Sequence, residues 1–300
     1  MGTDNIDNLY INKIQKGQKN MRTINSEVIT KKVRDMCIQA TCHITPDIKE
    51  ALENGLKTEK SDVSKGVLEN LLKNAEIAHQ KEVPICQDTG MAVFFVEIGN
   101  KVIIEGDTIT EAINKGVSQG YTEGYLRKSV VGDPLNRVNT KDNTPAIIHY
   151  DFVEGDNIKI TFAPKGFGSE NKSGLKMLNP SDGLDGVVDF VIETVRKAGA
   201  NPCPPMVIGV GIGGTMDKCA VLAKKALTRE VNSSNDNPFY AELEKTLLEK
   251  INKLGIGPQG MGGTTTALGV NIEVFPTHIA GLPVAVNVNC HATRHAVEVI

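Results

Sequence analysis

Pro84-Ile85-Cys86-Gln87-Asp88-Thr89-Gly90, followed directly by the apolar run Met91 to Val96, is the stretch from which the rest of the chain is best read. Pro84 restricts the entry and Gly90 frees the exit, so the first seven residues read as a loop. The run Met91-Ala92-Val93-Phe94-Phe95-Val96 is short, β-branched and aromatic, which predicts a buried strand. Together they place a thiol, an amide, a carboxylate and a hydroxyl on four consecutive loop residues anchored by a strand, where chemistry is commonly found. A turn with a cysteine tucked into the core explains the same residues. Distant parts of the chain decide between the two.

Upstream of this stretch the pattern is helical. Ile29, Val33, Met36, Cys37 and Ala40 recur at helical spacing, with Cys42 closing the same segment. Cys37 and Cys42 therefore read as core thiols. Thr45-Pro46-Asp47 predicts an N-cap followed by proline at the first helical position. Ser61 predicts another cap, with Val63, Val67, Leu71, Ala75 and Ala78 on the inward face. Residues 1–20 are rich in Asn, Lys and Asp without an apolar period, and read as a disordered leader or an expression-tag remnant. One catalytic domain is expected over residues 21–300.

Downstream, a helix is expected from about Thr110 with Ile113 and Val117 inward, leading to Tyr125-Leu126-Arg127-Lys128-Ser129. Strands follow at 146–153 and 157–162, joined by Glu154-Gly155-Asp156. Lys165 to Lys172 reads as a polar, glycine-punctuated loop. A helix from Leu184 to Ala198 ends at Gly199, and Met206 to Val210 reads as a strand. Leu243, Leu247, Ile251 and Leu254 mark a helix ended by Gly255. A Gly/Thr-rich loop then leads to two strands around Phe275 to His278. Helices and strands mix without regular alternation, which predicts an α+β (mixed α/β) fold: a helical N-terminal part, then mixed sheet packed with helices.

Composition narrows the function classes. Hydrophobic content of 40% with 23% charged residues is that of a soluble globular protein. A net charge of −3 and only 4% aromatics argue against nucleic acid as a partner. No apolar run reaches the ~20 residues needed to span a bilayer, and no apolar segment follows the start, so the chain reads as cytoplasmic. Gly209-Val210-Gly211-Ile212-Gly213-Gly214 matches the dinucleotide fingerprint, but the acidic residue expected ~20 positions on is missing. Close strand–helix packing accounts for those glycines instead.

Six cysteines stand at 37, 42, 86, 203, 219 and 290, with no Cys-x-x-Cys pair. Cys86, Cys203 and Cys290 each sit in a loop beside a strand, and prolines flank Cys203 on both sides. Three thiolates from three remote loops can bind one inorganic cluster. A 4Fe-4S cluster usually takes four cysteines, so with three one iron keeps an open position and can act as a Lewis acid.

Cys86-Gln87-Asp88-Thr89-Gly90, Gly168-Ser169-Glu170-Asn171, Pro202-Cys203-Pro204-Pro205, Gly257-Pro258-Gln259-Gly260 and Pro276-Thr277-His278-Ile279-Ala280-Gly281-Leu282-Pro283 closely resemble class I, iron–sulfur fumarate hydratases, over roughly residues 21–300. The resemblance implies that Cys86, Cys203 and Cys290 hold a 4Fe-4S cluster. It implies substrate contacts by Gln87, Asp88, Arg127 and Gly168, and catalytic roles for Asp88 and His278. Phe167 stands where many relatives have glycine. Single-chain relatives continue into a second, swivelling domain after the third cysteine, so this chain is expected to be an α subunit. Its expected partners are a β subunit carrying that domain, a small dicarboxylate, and a further copy through dimerisation.

The residues suit such chemistry. Dehydrating malate removes a weakly acidic C–H beside a carboxylate and expels hydroxide, which needs an acid or a metal. Asp88, two residues from Cys86, is placed to exchange a proton. Arg127 can clamp a carboxylate in bidentate fashion. His278 can orient substrate or an acid–base partner. A lone Arg is otherwise a surface charge and a lone His a satisfied polar residue. Other readings are a tartrate dehydratase α subunit, a non-catalytic cluster-binding subunit, and a thiol enzyme using Cys86 and His278.

Overall fold

The alternation of large and small residues in Met206-Val207-Ile208-Gly209-Val210-Gly211-Ile212-Gly213 decides how the larger part of the protein is layered. A computed structural model describes residues 21–300, so the leader expectation for residues 1–20 lies outside the described residues. The described residues fall into two compact units, one of residues 21–38, 92–162 and 296–300, the other of residues 39–91 and 163–295.

In the second unit β7 (Met206–Gly213) is buried along its whole length. Met206, Ile208, Val210 and Ile212 share one core with Val187, Val191 and Val195 of α6 (Gly183–Ala198) and Leu243, Leu247 and Ile251 of α8 (Pro238–Asn252). The alternate positions point the other way, as period-two geometry requires. There Gly209 and Gly211 meet α7 (Met216–Ala226): a Cβ would lie 2.1 Å from the Ala223 carbonyl or 2.0 Å from that of Cys219. The dinucleotide-like glycines thus lie mostly inside a strand, not in a phosphate loop, and exist to let a helix backbone approach. The strand is longer than the Met206–Val210 reading because glycines disguise its second half.

The sheet of this unit has the order β6 (Gly174–Leu178), β9 (Leu282–Asn289), β7, β8 (Ala267–Phe275). β8 runs parallel to β7, and β9 antiparallel to both β7 and β6. Thr45 and Pro46 open α2 (Pro46–Thr58) as expected, although the Thr45 hydroxyl makes no capping bond. Ser61 caps α3 (Asp62–Lys81) through the Ser64 amide at 3.3 Å. The buried face of α3 keeps Ala75 and Ala78 as expected but departs from the expectation in its first turns. Val63 is 65% exposed, while Ser64, Leu68, Ala75 and Ala78 are buried. Ser64 takes the inner position because its hydroxyl bonds the Gly262 carbonyl, a partner no apolar side chain could satisfy.

In the first unit Ile29, Val33, Met36 and Cys37 of α1 (Ser26–Cys42) are buried as their spacing predicts. A Cβ on Gly116 or Gly120 of α4 (Ile109–Glu123) would stand 2.6 Å from Val33 or 2.7 Å from Cys37, so α4 packs on α1 through its glycines. The sheet order here is β10 (Ala296–Val299), β5 (Ile158–Lys165), β2 (Met91–Gly99), β4 (Ile147–Val153). The strands on either side of Glu154-Gly155-Asp156 therefore do not pair with each other. β2 lies between them, parallel to β4. β1 (Arg22–Asn25) and β3 (Val102–Glu105) form a separate parallel pair. The fold is α+β with mixed sheets, as expected. No helix of the described residues is long and apolar enough to cross a membrane.

Candidate active site

Three loops of the second unit carry Cys86, Cys203 and Cys290, and short polar bonds tie them together. The Cys86 loop is held at its root by the Ile85 amide on the Thr41 carbonyl at 3.0 Å and by Asn74 Nδ2 on the Ile85 carbonyl at 2.9 Å. Gly90 follows at φ +81°, and a Cβ there would stand 2.8 Å from the Lys165 backbone. That crowding, more than flexibility, demands glycine at the exit.

Asp88 is held at both of its carboxylate oxygens. Its Oδ1 accepts from the Gly90 amide at 3.0 Å and its Oδ2 from the Phe167 amide at 2.9 Å. Phe167 opens a single helical turn, α5 (Phe167–Glu170), within the stretch read as loop. Its backbone, not its ring, serves the site, and the ring is half exposed. Each Asp88 oxygen keeps a further lone pair for a proton. A Cβ on Gly168, in the same turn, would find only the Asn201 carbonyl, at 4.0 Å. The space beside Gly168 is therefore open, and it borders the segment that carries Cys203.

Cys203 has a left-handed backbone, φ +54°, that a β-carbon disfavours. The surroundings impose it. The Pro204 carbonyl accepts from the Gln259 amide at 2.7 Å and from Gln259 Nε2 at 2.8 Å. The Cys203 carbonyl accepts from the His291 amide at 3.2 Å and from His291 Nδ1 at 3.0 Å. A carbonyl only accepts, so Nδ1 carries the proton, and the 3.1 Å approach of Gln259 Nε2 to that atom is not a hydrogen bond. Burial holds His291 toward its neutral form. This explains the Gly257-Pro258-Gln259-Gly260 motif: it clamps the chain immediately after Cys203.

Cys290 follows β9. It packs with Ile85, Ala78 and Ala292, which joins its loop to that of Cys86. Burial pushes the Cys203 thiol up, and the charges of Cys290 and Cys86 push the same way, so the three sulfurs lie within electrostatic reach of one another. Burial also pushes the Cys290 thiol up, opposed by Arg294 and Lys165. Cys37, Cys42 and Cys219 are buried, in keeping with core roles, whereas Cys86 and Cys290 are partly exposed and Cys203 is exposed.

Among the described residues no three His, Cys, Asp or Glu side chains stand at the spacing of ligands to one metal ion. Three thiolates bound to three different irons stand further apart than three on a single ion. A convergent all-thiol donor set with cations beside it suits an anionic iron–sulfur centre better than one hard cation.

Two residues were not singled out by their sequence context. Lys165 is buried, with Nζ bonded to the Val288 carbonyl at 2.8 Å and Ser169 Oγ at 2.9 Å, and paired with Glu170 at 3.3 Å. Burial lowers its pKa to about 8, against the pull of Glu170. Glu170 in turn binds Lys224 at 2.6 Å and Asn287 at 2.9 Å. Arg294 donates from Nη2 to the Asp88 carbonyl at 2.6 Å. A lysine in a polar stretch and an arginine near the chain end carry no pattern that marks them.

Three expected residues remain. Gln87 is exposed on the Cys86 loop. Arg127 is exposed in the coil after α4, in the first unit. His278 lies in the connection from β8 to β9, its Nδ1 accepting from the Ala280 amide at 3.1 Å. Cys290 follows the opposite end of β9, so the eight-residue strand separates them by about 25 Å. One chain does not bring His278 to the cysteines.

The family model for fumarate hydratase (Fumerase) matches residues 30–299. The chain is 45% identical over 277 residues to a Methanocaldococcus jannaschii protein named "Putative L(+)-tartrate dehydratase subunit alpha", covering 89% of this chain and 97% of that one. It is 33% identical over 270 residues to L(+)-tartrate dehydratase subunit alpha of Escherichia coli (strain UTI89) and of Shigella sonnei, covering 89% of this chain and 88% of each. With the match spanning both units and all three cysteine loops, the chain belongs to the class I fumarate hydratase family of hydro-lyases.

Proposed function

We propose that the chain is the α subunit of an iron–sulfur hydro-lyase that interconverts fumarate and (S)-malate. The observation that carries this reading is the convergence of Cys86, Cys203 and Cys290, from loops remote in sequence, beside a doubly held Asp88. Cys86, Cys203 and Cys290 would hold a 4Fe-4S cluster, which when bound supplies a Lewis-acidic iron for the departing hydroxyl. Asp88 exchanges the proton, its carboxylate aimed by the Gly90 and Phe167 amides. Gln87 offers amide donors to a substrate carboxylate from the same loop. The bare face of Gly168 leaves room for substrate next to the Cys203 segment. Arg127 is assigned the second carboxylate, as a bidentate clamp.

His278 serves this site from a second copy of the chain or from the partner subunit, since its own chain holds it a strand's length away. The partner is a β subunit that supplies the rest of the substrate clamp, a role supported by the α-subunit names of the relatives. Six unbridged cysteines suit the reducing cytoplasm. Those same names favour a second reading of the substrate, L(+)-tartrate, within the same hydro-lyase chemistry.

The test is to express the chain anaerobically, measure iron and sulfide, and assay malate and L(+)-tartrate with and without the second subunit. The proposal expects a loaded cluster, low turnover of the lone chain, and malate turnover in the complex. Turnover of L(+)-tartrate alone replaces the substrate. Full turnover by the lone chain removes the partner. An active complex without iron removes the cluster.

A further inference from the structure

Arg294 is 4% exposed, and among the described residues no carboxylate forms a salt bridge with it. Nη2 reaches the Asp88 carbonyl at 2.6 Å, but Nε and Nη1 are buried without a hydrogen-bond partner among the described residues. Both Asp88 carboxylate oxygens are already engaged by backbone amides. A buried charge without a counter-charge is strongly disfavoured even after relaxation. Two strong donors left without a hydrogen-bond partner among the described residues indicate an acceptor that is present only in another state of the protein.

The surroundings of Arg294 narrow what that acceptor is. Nε and Nη1 are sealed from solvent, so a substrate diffusing in from water does not reach them. The acceptor must already lie inside the chain. Arg294 sits four residues after Cys290, at the end of a turn closed by Thr293 Oγ1 on the Cys290 carbonyl at 2.8 Å. It lies within electrostatic reach of Cys290 and Cys42. Cys42 is a fully buried helix residue. Cys290 is the one that gains a negative sulfur on binding iron, because the ligand is the thiolate and not the thiol.

We propose that Arg294 donates from Nε or Nη1 to the sulfur of Cys290 once that cysteine is an iron ligand, and so holds the iron–sulfur centre and the Asp88 loop with one guanidinium. This rests on the cluster reading given above. An N–H directed at a ligand sulfur stabilises the more reduced, more negative centre and raises its reduction potential. It also makes the Cys290–iron bond harder to lose. Because Nη2 holds the Asp88 carbonyl, the proton carrier keeps its place relative to the centre. Arg294 is thus a positioning and tuning residue and does not touch substrate.

The experiment uses the anaerobically loaded holoenzyme as wild type, Arg294→Gln and Arg294→Lys. Iron and sulfide in the wild type come first: their absence refutes the cluster reading itself, whatever the variants do. With a loaded wild type, midpoint potentials are measured by redox titration followed by electron paramagnetic resonance, together with the rate of iron loss to a chelator. The expected result is a lower midpoint and faster iron loss in Arg294→Gln, with Arg294→Lys between the two. Should Arg294→Gln not fold, the same shift in Arg294→Lys decides, since lysine keeps the charge but not the fork of donors. Unchanged midpoints overturn the proposal, even if the variants melt at lower temperature, because that marks a purely structural role. A raised KM for dicarboxylate with an unchanged midpoint overturns it in favour of substrate binding.

Discussion

Glu59 ties the loop that steadies Cys203 to the helices of the second unit, and replacing it with glutamine measures that tie. Its Oε1 accepts from the Lys60, Ser61 and Thr264 amides at 2.8, 3.1 and 2.9 Å, and its Oε2 from the Thr264 and Thr265 amides at 2.9 Å each. Gly263 makes room for it: a Cβ there would stand 2.5 Å from Oε1. Burial alone would raise the pKa of Glu59. The backbone donors outweigh it and bring the pKa from 4.5 down to about 2. At 1.36 kcal/mol per pKa unit that gap is worth about 3 kcal/mol near neutral pH. A depressed carboxylate stabilises the fold fully above 4.5 and progressively less as pH falls toward 2. Glu59→Gln should therefore melt about 6–12 °C below wild type at pH 7, taking the ~2–4 °C per kcal/mol of domains somewhat smaller than this chain. The difference should close as pH falls from 4.5 toward 2, because only wild type loses a charge there. Scanning calorimetry across that range reads both effects. Equal melting temperatures at pH 7, or a gap that widens on acidification, would refute the reasoning. The variant should also lose iron faster, since residues 264–266 continue the segment whose Gln259 holds Pro204.

Cys203→Ser should abolish the brown colour of anaerobically purified protein, whereas Cys37→Ser, on the buried face of α1, should keep it; absorption spectra reversed between the two would remove the ligand assignment. Asp88→Asn keeps acceptors for part of its hydrogen bonding but carries no exchangeable carboxyl proton. Turnover should fall ~10²–10⁴-fold with iron content retained, and a rate near wild type would exclude Asp88 from proton transfer. Gly211→Ala forces a methyl to within 2.0 Å of the Cys219 carbonyl, so its urea midpoint should fall by the equivalent of roughly 1–3 kcal/mol or more. An unchanged midpoint would show that α7 does not pack on β7 as described.

Local pattern alone determined much of this protein. The apolar period of α1, the start of α2 at Pro46, the cap of α3 at Ser61 and the strand after Gly90 all follow from properties carried within a few residues. The loop positions of Cys86 and Cys203 follow too, because proline and glycine mark them whatever the rest of the chain does, and that of Cys290 follows from the end of the apolar run before it. What the tertiary structure decided depends on partners far away in sequence. The inner face of α3 begins at Ser64 instead of Val63, because the Gly262 carbonyl takes the Ser64 hydroxyl. The glycines that resemble a phosphate loop became a strand because α7 required their bare faces. β2 entered between two strands adjacent in sequence, since pairing is settled by the whole sheet and not by the connecting turn. His278 went to the far end of β9 from Cys290, a consequence of strand length that a motif does not carry. Arg294, unremarkable near the chain end, acquired its meaning from the Asp88 carbonyl and from two donors left waiting beside Cys290. Burial turns an ordinary charge into a specific one, and burial is a property of the folded whole.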